Sequence, residues 1–147
     1  MSWFSRFLFP TQPHDPWASW LLLALRLLFG VLLLMHGLDK WIHFETLEAN
    51  FPNPLHVGSR LSLLLCLFAE VVCSCFVILG LFTRLMLIPI VINMAIAFWV
   101  IHQGQPFASR ELAFLYLIVF LLLMLFGPGR LSFDDWIAHR LAPEPMP

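Results

Sequence analysis

The run WASWLLLALRLLFGVLLLMHGLDK at residues 17–40 limits this chain more than any other stretch. Between residues 17 and 38 only Arg26 and His36 are ionisable. A membrane-spanning helix needs about 20 mostly apolar residues to cross a hydrocarbon core about 30 Å thick. This run is long enough, and Arg26 then falls near its middle. An arginine at that depth costs roughly 2.5–3.5 kcal/mol on insertion scales. The remainder of the chain should therefore supply a group that answers it.

Composition supports lipid as the solvent. Of the 147 residues, 61% are hydrophobic and only 12% charged, and the mean hydropathy is +0.87. A soluble domain of this size could not bury so much apolar surface. The length suits one compact bundle with no additional soluble domain. A net charge of −1 gives no reason to expect nucleic acid as a partner. Cys66, Cys73 and Cys75 share one apolar run without a C-x-x-C pair. On a helix Cys73 and Cys75 face nearly opposite ways, so all three read as small buried thiols rather than a redox pair.

Along the chain, residues 1–16 read as an amphipathic lead ending in Pro10, Pro13 and Pro16, without the continuous apolar core of a cleavable signal peptide. Four spans follow at about residues 17–38, 61–82, 85–101 and 112–126. The 39–60 connection is polar, aromatic and broken by Pro52 and Pro54, with a portion suited to lying along the membrane surface. Residues 128–147 form a polar tail with a short helix, and residues 142–147 should be disordered. The expected architecture is all-α: a polytopic membrane protein built as an antiparallel bundle of four transmembrane helices in one domain, residues 17–127, with both termini on one side. Arg6, Arg84, Arg130 and Arg140 fall on the terminal side, against Lys40, Arg60 and Arg110 on the other. This small bias places both termini in the cytoplasm.

Polar residues inside the apolar runs mark the functional candidates. Glu70 is near the middle of the second run and Asn93 is central in the third. One reading is an Arg26–Glu70 ion pair, supplemented by Asn93, that fixes helix register; the other is a relay or ligand anchor built from the same groups. Gly30 and Gly37 lie near the Arg26 direction and would let a neighbouring helix approach closely. At the opposite boundary from the termini, His36, Lys40, His102 and Glu111 border the runs and are expected to line a pocket. Such groups can hold a quinone oxygen or pass a proton; ordinary boundary polarity is the competing explanation. His102 lies about 180° around a regular helix from Asn93, so both face one pocket only if the third span unwinds near Gly104 and Pro106. No compact metal-ligand spacing is present, and no metal is expected.

Arg26-Leu-Leu-Phe-Gly30 and His36-Gly37-Leu38-Asp39-Lys40 resemble the first-span signature of the DoxX family. Glu70, the 78–84 segment ILGLFTR, His102 with Glu111, and the 127–134 segment GPGRLSFD are similar to the rest of its pattern, in order and at matching spacing. Phe133 stands where many relatives have leucine. The resemblance implies a four-helix protein of the bacterial inner membrane. Its relatives include the small membrane subunit of a thiosulfate:quinone oxidoreductase, partners of thiol-stress enzymes, a methylamine-utilisation maturation protein and an endoplasmic-reticulum cargo receptor. A shared fold does not fix a shared activity across that range.

The chain carries no haem, flavin or iron–sulfur ligand set, so no covalently bound cofactor is expected. The reading that follows is a membrane subunit of a quinone-linked redox complex, with the electron-transfer centre on a partner protein. The alternative is a non-catalytic scaffold or accessory subunit that stabilises or recruits partners. Either version implies the lipid bilayer and a protein partner or a second copy as associates.

Overall fold

A computed structural model describes residues 15–141, all of whose regular structure is helical. The long helices are α1 (Pro16–Ile42), α3 (Ser59–Leu79), α4 (Thr83–Ile101) and α5 (Phe107–Phe126), each long and apolar enough to cross a membrane. Two short ones accompany them, α2 (Phe44–Glu48) after α1 and α6 (Phe133–Leu141) after α5. Most of the lead expected at residues 1–16, and residues 142–147, lie outside the described residues.

The four long helices alternate in direction. α1 packs on α3, α3 on α4, α4 on α5, and α5 returns to α1. Leu33, Val77, Leu87, Ile90, Phe120 and Leu123 fill the centre with no more than 1% exposure. Their outer faces carry large apolar side chains such as Leu28, Met35, Ile92 and Leu125 at 54–71% exposure, which only lipid can cover. The chain is therefore a polytopic all-α membrane protein.

Helix ends differ from the sequence expectation where polar residues continue a helix instead of stopping it. α1 runs through Asp39 and Lys40 to Ile42. At about 1.5 Å per residue its 27 residues reach about 40 Å, more than the hydrocarbon thickness, so both ends enter the headgroup region. α5 begins at Phe107, which places Arg110 and Glu111 on its first turns.

The larger correction concerns register. A Cβ on Gly37 would strike Glu70 and Val71, and one on Gly80 would strike the Arg26 guanidinium. Glu70 thus lies opposite Gly37, and Arg26 lies opposite the end of α3. Eleven residues separate Arg26 from Gly37, about 16 Å along α1. The expected Arg26–Glu70 pair does not form. α3 is displaced along α1 by about three turns from the centre-to-centre alignment expected of the two runs.

Arg26 is answered by backbone instead. At 1% exposure it donates from Nη1 to the Pro128 carbonyl and from Nη2 to the Leu131 carbonyl, both at 2.8 Å. The GPGR segment after α5 can present those oxygens because Gly127 and Gly129 take φ of 82° and 80°. Asp134 completes the junction. It is fully buried, its carboxylate accepts the Phe82 and Thr83 N–H groups at 2.7 and 2.8 Å, and its own N–H donates to the Gly80 carbonyl at 2.9 Å. The two accepted amides open α4, so Asp134 caps that helix from a distant part of the chain. Phe82, held at φ 48°, is fixed by the same bond.

Burial pushes the Asp134 carboxyl above its ordinary value, against the pull of the two backbone donors and of Arg26. The folded state therefore keeps this proton over an interval where the unfolded chain has lost it. Stability from this group falls as pH rises through that interval and is level above it. Replacing Asp134 with alanine strands two buried N–H groups, each worth about 1–3 kcal/mol. D134A is expected to unfold at clearly lower temperature than the parent in mild detergent. D134N, left with one acceptor oxygen, should fall between the two and should lack the acid-side pH slope. Equal melting of D134A and parent would disprove the capping role.

Candidate functional site

Gly37 brings α1 against α3 at the level where α3 departs from α-helical geometry. Residues Phe68–Cys73 form a π-helical turn with Glu70 within it. Such turns place an additional residue in the ladder and recur at functional sites. Here the turn accompanies a carboxylate with 4% side-chain exposure, buried in the bundle.

Four contacts converge on Glu70. Lys40 Nζ lies 2.6 and 2.5 Å from the two carboxylate oxygens, forming the buried ion pair that was expected of Arg26. Asn93 Nδ2 donates to Oε1 at 3.2 Å, and Cys66 Sγ–H approaches the same oxygen at 3.3 Å. Cys66 also lies 3.5 Å from Lys40 Nζ and 3.7 Å from Asn93 Nδ2. Lys40 spans this distance because α1 continues past Asp39, and its long stem lets the ammonium lean inward while 30% of the side chain remains exposed.

These groups form the floor of a cavity of about 500 Å³ between α3 and α4. Its walls are apolar: Leu65 and Phe68 from α3, and Ile88, Pro89 and Ile92 from α4. Leu65, Phe68 and Ile92 are 45–54% exposed on the lipid-facing surface, so the cavity adjoins the bilayer side of the bundle. Phe51, Pro52, Pro54 and Leu55 cover its other end. That loop is folded by Asn53, whose Oδ1 accepts from Gly58 N–H and Ser62 Oγ, both at 3.1 Å.

The sequence candidates separate here. Lys40, Glu70, Asn93 and His102 all line the cavity. His102 shares the wall with Asn93 because α4 ends in a π-helical turn, Ala97–Ile101, which advances through less angle per residue than an α-turn. His102 Nδ1 bonds Gln105 Oε1 at 3.0 Å. His36 does not join them: its ring meets the edge of Tyr116 on α5, with centroids 6.0 Å apart, in the α1–α5 seam. Glu111 is exposed on the first turns of α5, outside the cavity. The pocket expected from His36, Lys40, His102 and Glu111 is thus rebuilt, with Glu70 and Asn93 in place of His36 and Glu111. Arg26 belongs to the opposite end of the bundle.

Cys66, expected only as a small buried thiol, is buried and contacts Glu70 and Lys40. One signal pointed to it: Cys66 precedes Glu70 by four residues and so shares its helix face. The cover loop had no such signal, since its placement depends on Asn53 folding back on Ser62. Among the described residues, no group of three or more His, Cys, Asp or Glu side chains could hold a metal ion.

Chemically, the floor offers the Lys40 amine, the Glu70 carboxyl paired with it, an amide and a thiol beneath an apolar roof. That combination suits a lipid-soluble ligand with a small polar head. The fold and site define a helical membrane protein with an apolar cavity over a buried ion pair. The family model DoxX matches residues 21–103, more than half of the chain, and the protein belongs to the DoxX family. The matched region contains every side chain of the cavity floor. No curated protein and no solved structure matches the chain.

If Lys40 and Glu70 are one unit, each single replacement leaves a buried charge unpaired. K40M or E70Q alone should lower stability on the order of 3 kcal/mol, the low end for buried pairs because Lys40 is partly wet. The K40M/E70Q double variant should recover part of that loss, whereas R26M and E70Q effects should simply add. The check is a double-mutant cycle of thermal unfolding in nanodiscs. A coupling energy at Arg26–Glu70 rather than Lys40–Glu70 would refute this register.

Proposed function

We propose that the α3–α4 cavity receives the ring of a membrane quinone, and that the protein is the membrane subunit of a quinone-linked redox complex of the bacterial inner membrane. The observation that carries this reading is the floor itself. A buried Lys40–Glu70 pair with Asn93 lies beneath apolar walls that adjoin the lipid. Lys40 and the His102 ring can donate to ring carbonyl oxygens. Glu70 and the Asn93 side-chain oxygen can accept from the hydroxyls of the reduced form. The apolar walls suit a ring attached to a hydrocarbon tail, which passes out between Leu65, Phe68 and Ile92.

The chain's own residues bind, orient and exchange protons in this scheme. Electrons come from a partner protein. Glu70 is the group through which a proton reaches or leaves the ring, and Lys40 holds its carboxyl in place. The reading also places both termini in the cytoplasm, on the strength of the arginine bias. The cavity then lies toward the outer leaflet.

Two measurements test the proposal. Protein extracted gently into nanodiscs should carry quinone detectable by mass spectrometry, together with a redox subunit. Ala97→Phe, which fills the cavity from the α4 wall without touching the ion pair, should reduce bound quinone severalfold while leaving accumulation normal. Quinone-free parent protein associated with an unrelated assembly would favour the scaffold alternative. For orientation, single cysteines at Glu48 and Arg140 in a cysteine-free background should be labelled from outside and inside, respectively. The reverse pattern would invert the topology.

A further inference from the structure

The opposite end of the bundle holds a second cavity, of about 500 Å³, where the start of α1 meets α6. Ser19, Trp20, Arg130, Asp135, Trp136 and His139 line it. We propose that this cavity binds the phosphate of an anionic phospholipid headgroup on the terminal side of the membrane.

Position comes first. Trp17, Trp20 and Trp136 are 87%, 61% and 57% exposed in the opening turns of α1 and α6. Exposed tryptophans in such places mark the headgroup level of a bilayer. A headgroup, rather than an acyl chain, is therefore what lies beside this cavity.

Charge comes next. Arg130 is exposed and forms no ion pair among the described residues. α1 starts beside the same cavity, with Asp15 at its N-cap and, among the described residues, no side chain bonded to its first amides. Asp135 is the one acid in the lining; it lies in the first turn of α6, with His139 Nδ1 at 3.4 Å from its Oδ2 and bonded to its backbone carbonyl at 2.8 Å.

Ser19 supplies an independent sign of a ligand. It is 3% exposed, and its Oγ has no hydrogen-bond partner among the described residues. A buried hydroxyl without a partner carries a desolvation cost that an acceptor oxygen at the cavity would relieve. A lipid phosphate seated between Arg130 and the Ser19 hydroxyl would satisfy both, with its acyl chains along Trp20 and Leu131.

The test is native mass spectrometry of delipidated protein titrated with phosphatidylglycerol, phosphatidylcholine or inorganic phosphate. The parent should retain phosphatidylglycerol in preference to phosphatidylcholine. Arg130→Gln should weaken the first phosphatidylglycerol by roughly fivefold, the share one basic residue carries at an anionic lipid surface. Arg60→Gln, on the opposite loop, should leave it unchanged, and millimolar inorganic phosphate should not displace it. Arg130 is exposed, so its replacement leaves the fold intact. Equal retention of the two lipids, an unchanged R130Q, or an equal loss in R60Q would overturn the proposal. Displacement by free phosphate would assign the cavity to a soluble anion and overturn the lipid assignment.

Discussion

The guanidinium of Arg26, held on the Pro128 and Leu131 carbonyls, is the contact on which the arrangement of the bundle depends. Burying that charge requires oxygens at one place and in one orientation. Only a chain reversal after α5 with glycines at positive φ delivers them. Once they are delivered, the end of α5, the end of α3 and the start of α4 are tied to α1 at one level. Gly80 has to lack a side chain so that Arg26 can pass, and Asp134 then has to cap α4 from across the junction. In lipid this kind of specification matters more than in water, because apolar surface alone gives neighbouring helices little reason to choose a register.

Fixing the register at one end positions the other. With Arg26 opposite Gly80, Gly37 faces Glu70, and Lys40 comes within reach of the carboxylate. The cavity is a consequence of the same geometry. A π-turn in α3, a proline in α4 and a π-turn at the end of α4 all interrupt regular packing along one seam. The α1–α3 contact closes instead because glycines on α1 let the two backbones approach. The two polar centres thus have distinct roles: the Arg26–Asp134 junction sets alignment, and the Lys40–Glu70 floor lies beside open volume.

Two ion-pairing candidates in one bundle invite a wrong match, and the physical basis of the mismatch is specific. Helices of similar length look as though they should align centre to centre, which places Arg26 beside Glu70. α1 is longer than its apolar run, however, because Asp39 and Lys40 continue it. The Arg26 junction with Gly80 and the 128–131 carbonyls then decides how far α3 slides. A side chain seven residues from a helix end can be at the membrane boundary or near its middle, depending on that slide.

Much was readable from residues alone. Apolar run length fixed four spans, an even count fixed alternating directions, and low charge fixed lipid as the environment, because each follows from transfer free energy summed over local sequence. Glu70, Asn93, Lys40 and His102 could be singled out because a polar group beside or within an apolar run is costly wherever the chain folds. Pairing was beyond reach. Whether Lys40 or Arg26 meets Glu70 depends on axial register, and whether His36 or Cys66 shares the cavity depends on rotation about each helix axis. Both are set by close glycine contacts, π-turns and backbone carbonyls from residues a hundred positions away. Those terms exist only between segments, so only the assembled bundle decided them.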